Sequence, residues 1–140
     1  MTSPFSRLID GSDREWILTE NEYFLAVLET KPLVLGHVVV VAKEAKDGLF
    51  DLADGALSSL LVFSKPIAKA IEMSVTCKKV GVAVIGLETR HAHLHLVPIS
   101  SAQDLNFTRE KLRLEECELI EIRERIRASL ATALSMVNDL

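Results

Sequence analysis

The sequence predicts an α+β domain built on an antiparallel sheet, and three observations carry that reading. Short apolar runs alternate with turn residues over the first quarter of the chain. A three-to-four-residue apolar period takes over from Ala56 to Val75 and again towards the C-terminal end. Between these two helical stretches the composition returns to β-like. Strands gathered first, then a helix, strands and a helix, without repeated βαβ units, point to antiparallel pairing. The 140 residues make one domain's worth of chain. With 49% apolar and 26% charged residues, disordered, collagenous and low-complexity classes are excluded.

Taken in order, Asp10-Gly11-Ser12-Asp13 is a turn cluster ahead of strands expected at Glu15–Thr19 and Tyr23–Leu28. Thr30-Lys31-Pro32 ends the second strand. His37–Lys43, with four consecutive valines, reads as a strand buried on both faces in the middle of the sheet. Leu57, Leu60, Leu61, Ser64, Ala68, Ile71 and Val75 mark a helix, with Asp54 in its N-cap region. Pro66 falls inside that pattern, where proline costs about 3 kcal/mol, so a break is expected near Ser64. Lys79–Leu87 is β-like until Gly86 interrupts it, and His91–Ile99 alternates as the last strand. From about Thr108 the chain is expected to be helical. Leu119, Ile122, Ile126, Leu130, Leu134 and Val137 form its apolar stripe, and ion pairs Glu121–Arg125 and Glu124–Arg127 are expected along its flank.

A net charge of −4 argues against a nucleic-acid polymer as partner, though not against a single nucleotide. Cys77 and Cys117 lie outside any CxxC pairing, which suits a reducing compartment. No signal peptide or membrane-length apolar run is visible, so a cytoplasmic protein without membrane contact is expected.

Three of the four histidines fall in His91-Ala92-His93-Leu94-His95. On a strand the three imidazoles share one face, neighbours roughly 6–7 Å apart, while Ala92, Leu94 and Leu96 line the other. Imidazole titrates near neutrality, and its unprotonated nitrogen is a nucleophile. Two chemistries fit such a row. A His-x-His pair can hold a metal, but no carboxylate follows before Asp104, and the outer pair would be about 13 Å apart. Alternatively, the middle histidine attacks phosphorus while its neighbours orient it and manage the leaving group.

His-Ala-His-Leu-His-Leu-Val-Pro resembles the signature of the histidine-triad (HIT) family. Gly36–Lys43 is similar to that family's Gly-His-led strand, Leu28–Pro32 to its Leu-Asp-containing segment, and Gly81–Glu88 to the strand leading into the triad. The resemblance implies a HIT-like fold of about five antiparallel strands with a central and a C-terminal helix. Residues 1–140 would be a single HIT domain, with roughly 108–140 as a helical extension. It further implies a hydrolase or nucleotidyl transferase acting at the α-phosphate of a purine nucleoside phosphoramidate or dinucleoside polyphosphate. His93 would be the nucleophile, passing through a nucleotidyl-histidine. His95 would contact the phosphate and help protonate the leaving group, and His91 would support ring orientation. His37 would stand behind them on a neighbouring strand. Glu29 takes the place of a ribose-binding aspartate, Glu88 and Thr89 line the phosphate path, and Phe5 and Leu8 wall the base. Lys43 and Arg90 are read as solvated surface. The alternative is a nucleotide-binding or scaffolding HIT protein with little turnover.

The departures are informative. Ser3-Pro4-Phe5-Ser6 stands where many members carry Cys-x-x-Cys, so no structural zinc and no cofactor are expected. Leu87 replaces a frequent glutamine, Ala42 a proline, and the usual asparagines are missing from Val80–Ile85. A homodimer is expected, with Val80–Ile85 in the interface. The long apolar stripe of the C-terminal helix, which one small sheet would not fully bury, is expected to contribute.

Overall fold

The computed structural model describes residues 3–138, with side chains to residue 136. Strands β1 (Ile17–Glu20), β2 (Phe24–Leu28) and β3 (Val38–Ala42) form a meander. The chain then crosses through a long helix to β4 (Lys79–Ala83) at the far edge. It returns as β5 (His93–Ile99) between β3 and β4, giving a five-stranded antiparallel sheet in the order β1-β2-β3-β5-β4. The α+β class and the five antiparallel strands expected from sequence are those found.

Alternation along the strands separates two faces. Phe24, Ala26, Leu28, Val38, Val40, Leu94 and Leu96 face the two long helices, which add Leu60, Ile67, Ile71, Leu119, Ile122, Ile126 and Leu130 to one core. Leu25, Val27, Val39 and Val41 face the other way, under Leu8 of the short helix α1 (Ser6–Ile9). The histidines of β5 lie on this second face, because His93 pairs with Val41 and His95 with Val39.

Several elements depart from expectation. Helix α2 (Asp54–Ser74) runs unbroken through Pro66. Proline removes the bond to the Val62 carbonyl, but the Pro66 ring is itself buried on the core-facing side of the helix, next to buried Ser64. Beyond it Ile67, Ala70 and Ile71 are fully buried and hold the helix in line. Asp54 is the first helical residue rather than the cap; Ala53 occupies the N-cap without a side-chain bond. β1 begins at Ile17 and β5 at His93, because residues 91–92 bond outside the ladder, with Ala92 N–H donating to Lys46 O at 2.8 Å. Helix α3 (Glu116–Asn138) starts well after Thr108. Residues 106–115 satisfy their backbone groups elsewhere: Asn106 Oδ1 accepts from Thr108 N–H, and Leu112 N–H donates to Pro32 O.

On α3, Glu124 pairs with Arg127, but Arg125 donates to Ser74 O at 2.5 Å instead of pairing with Glu121. Leu119, Ile122, Ile126 and Leu130 are buried within the chain, with Ala133 replacing the exposed Leu134 in the stripe. The Val137 side chain lies outside the described residues. The sheet and α2 thus cover most of the stripe, and Leu134 is the described member that stays exposed. No helix among the described residues is long and apolar enough to cross a membrane.

Candidate active site

The site is assembled where β3 delivers His37, at its N-terminal end, beside β5. Gly36 makes the entry possible: its φ is +97°, and a Cβ there would stand 3.2 Å from the Val75 side chain. His37 and His93 are almost fully buried, and His95 is half-buried.

Hydrogen bonds assign each ring its tautomer. Leu33 N–H donates to His37 Nδ1 at 3.1 Å, so His37 carries its proton on Nε2 and donates it to His95 Nδ1 at 2.9 Å. His95 therefore presents an Nε2–H donor. His93 Nδ1 lies 2.6 Å from the His91 carbonyl, which can only accept, so His93 is protonated there and its Nε2 lone pair is free. His91 donates Nε2–H to Ala42 O at 2.7 Å and accepts at Nδ1 from the Ser3 hydroxyl at 2.8 Å.

Burial sets the charge of the cluster. It lowers the His37 pKa to about 3 and that of His95 to about 4, with the neighbouring ring and the Lys111 ammonium acting in the same direction. His93 is also lowered, chiefly by burial, with its bond to the His91 carbonyl partly opposing. Burial raises the Glu29 carboxyl, against the opposing pull of the Lys31 backbone N–H and nearby lysines.

A cleft of about 570 Å³ opens on this cluster. It brings together Glu29, His37, Glu88, Thr89, His93 and His95 from the sequence-derived set. His91 does not border it; it borders a second cleft of about 560 Å³ that shares Ile85, Gly86, Leu87 and His93 with the first. The His91 side chain thus ties the N-terminal segment and β3 together, while its carbonyl orients His93. Phe5 stands edge-on to His91 and His93, with ring centres 5.7 and 5.3 Å apart. Leu8 is buried against the sheet below. Lys43 is bound to Glu20 and Arg90 to Asp47, so neither is free for the first cleft. Among the described residues no group of three His, Cys, Asp or Glu converges as a metal site.

Among the bordering residues that the sequence reading did not place in the site are Phe107 and Lys111. Phe107 packs edge-on to His95 at 4.7 Å and to His37 at 6.1 Å, and Lys111 lies over the Phe107 ring at 5.9 Å. Phe107 precedes the segment read as helix, and Lys111 sits inside it. The available signal was Asn106, whose side chain favours a turn over a helix interior.

Comparison with known proteins agrees with this geometry. The model of the HIT domain matches residues 12–102. An uncharacterized HIT-like protein of Borreliella burgdorferi is 27% identical over 119 residues, 79% of this chain and 86% of that one. An adenosine 5'-monophosphoramidase of Saccharomyces cerevisiae is 26% identical over 95 residues, 67% of this chain and 60% of that one. Among solved structures, a zinc-bound histidine triad family protein from Mycobacterium smegmatis superposes with a TM-score of 0.77 at 25% identity, covering 97% of this chain and 98% of that one. A HIT-like protein from Bartonella henselae gives 0.76 at 21% identity, covering 91% and 96%.

Proposed function

The chain belongs to the HIT family, and on that premise we propose that it is a hydrolase or nucleotidyl transferase acting at the α-phosphate of a purine nucleoside phosphoramidate or dinucleoside polyphosphate. The observation that carries the reading is the bond from His93 Nδ1 to the His91 carbonyl, which leaves Nε2 with a free lone pair beside the His95 Nε2–H. In the first step His93 Nε2 bonds to phosphorus, and the bond from phosphorus to the leaving nitrogen or oxygen breaks with its electron pair. Positive charge grows on the His93 ring, and its Nδ1–H···O=C bond strengthens as it becomes charge-assisted. The His95 N–H stabilises negative charge on the leaving atom. Charging His95 would set two protons between it and His37, so it acts as a hydrogen-bond donor and solvent completes the protonation. Water then attacks phosphorus, the N–P bond breaks, and His93 recovers its lone pair. Glu29 accepts the ribose hydroxyls, Glu88 and Thr89 flank the phosphate, and Phe5, with Leu8 beneath it, walls the base. The monophosphoramidase relative supports the phosphorus–nitrogen substrate class.

The test is a substrate labelled at the α-phosphate, quenched rapidly into alkali, where N–P bonds last. Wild type is expected to carry label on His93. His93→Ala is expected to carry none, binding nucleotide while losing turnover by about a thousandfold or more. A variant keeping about a tenth of wild-type activity would overturn the assignment. Unlabelled wild type that still binds nucleotide would favour a binding or scaffolding protein.

We also propose a cytoplasmic homodimer joined through β4. That strand has one free edge and exposes Val82, with Val84 and Ile85 just beyond it; Leu61 and Val62 are exposed on α2. Sedimentation is expected to report twice the 15.5 kDa chain mass, and Val82→Lys to shift it towards one chain. A monomeric, fully active wild type would refute the assembly.

A further inference from the structure

The histidine cluster is electrically neutral, whereas its proposed substrate is an anion. His37 and His95 share one proton along a single N–H···N line, and His93 must keep Nε2 bare to attack. Burial favours the uncharged form of all three rings. A phosphate placed there would meet N–H donors but no cation from the histidines. The positive charge has to come from another element.

Four charged side chains border the cleft: Glu29, Glu88, Lys31 and Lys111. The two acids have the wrong sign, and Lys31 is exposed. Lys111 is half-buried and held in place. Its Nζ donates to the Phe107 carbonyl at 2.6 Å and the Arg109 carbonyl at 3.0 Å, leaving the third of its three N–H groups for a ligand. The Phe107 ring beneath it contacts His95, and Leu112 N–H fastens the segment to Pro32 O at 2.8 Å, three residues from Glu29. Arg90 is committed to Asp47 at 2.6 Å and borders the other cleft.

We infer that Lys111 is the phosphate-binding cation of this site, donating its remaining N–H to a nonbridging oxygen of the phosphate seated at His93 and His95 and so selecting nucleotides over uncharged nucleosides. The inference rests on the nucleotide reading above. It assigns substrate discrimination to the segment between β5 and α3, outside the matched family domain.

The test is calorimetric titration of wild type, Lys111→Met, Lys111→Gln and Lys111→Arg with AMP and with adenosine. Wild type is expected to prefer AMP. Lys111→Met is expected to hold its adenosine affinity within about twofold and to lose AMP affinity by about tenfold or more, since a charge-assisted bond is roughly twice as strong as a neutral one. Lys111→Arg should retain most of the preference, and added salt should narrow it in wild type but not in Lys111→Met. Glutamine can still donate to the two carbonyls without charge. If Lys111→Gln restores the AMP preference, the lysine merely fastens the segment and the inference falls. It falls alone if wild type prefers AMP and Lys111→Met keeps that preference. Wild type that binds neither ligand overturns the nucleotide reading and the inference together.

Discussion

On one face of β5, Leu94 and Leu96 join one apolar core with α2 and α3; on the other, His93 and His95 meet nitrogen and oxygen at fixed distances. Both faces bury most of these side chains, but burial has opposite uses. Against the helices it is the source of stability, roughly 25 cal/mol for each Å² of apolar surface removed from water. Around the histidines it is a constraint, because a buried ring must have partners, and the partners decide which nitrogen holds the proton. Among the described residues no buried side-chain nitrogen or oxygen lacks a hydrogen bond. A leucine can be replaced by a similar shape at modest cost. A histidine here cannot, since its neighbours read the position of its proton.

The comparison breaks most visibly if the helix face is disturbed and the chemistry follows. Ile126 is fully buried in the shared core, on the side of the sheet away from the cleft. Ile126→Ala is expected to destabilise the fold by about 2–5 kcal/mol, read as a lower urea midpoint at fixed protein concentration. The kcat/KM of the folded protein should stay within about twofold, because the sheet stands between Ile126 and the histidines and they share no partner. A large fall in kcat/KM with little loss of stability would show that the faces are not separable.

The legible parts of the molecule are those where local chemistry and tertiary packing agree. The valine run of β3 has no comfortable place except a buried strand, and all five of its residues are buried. The row of histidines announced both its strand and its chemistry. Legibility failed where a long-range contact overrode a local preference. Pro66 should break a helix, yet α2 continues through it with buried residues on both sides. Residues 108–115 read as helix because charged and leucine residues are good helix formers. Their backbone instead bonds to Pro32, more than seventy positions away in the chain, and the Phe107 side chain just before them reaches the histidines. At His91 alternation gave the face, since its ring and that of His93 both pack against Phe5, but not the means: its carbonyl bonds His93 while its ring bonds Ser3 and Ala42.

Smaller effects sharpen the comparison through pH. The folded-state pKa values of His37, His95 and His93 are all lowered from 6.5, the first two to about 3 and about 4. The unfolded chain therefore binds more protons below pH 6.5. The stability contributed by these rings is present in full above that pH and is lost as pH falls towards the folded values, by up to about 1.4 kcal/mol per pH unit for each ring. Glu29, pushed upward by burial, opposes this only near the carboxylate range. Chemistry follows a different course, because a lowered His93 keeps its lone pair below pH 6.5. The urea midpoint is thus expected to drop between pH 7 and pH 5.5, while the acid limb of kcat/KM is displaced below pH 6.5. His37→Asn removes the donor that sets the His95 tautomer and should lower kcat by about tenfold to a hundredfold, up to the lower end of general acid–base contributions because His95 itself remains. With His95 released to protonate, the variant should also acquire an acid limb nearer pH 6.5. If wild type already shows that limb, the histidines are solvated in solution and the buried N–H···N line is not what holds the site ready.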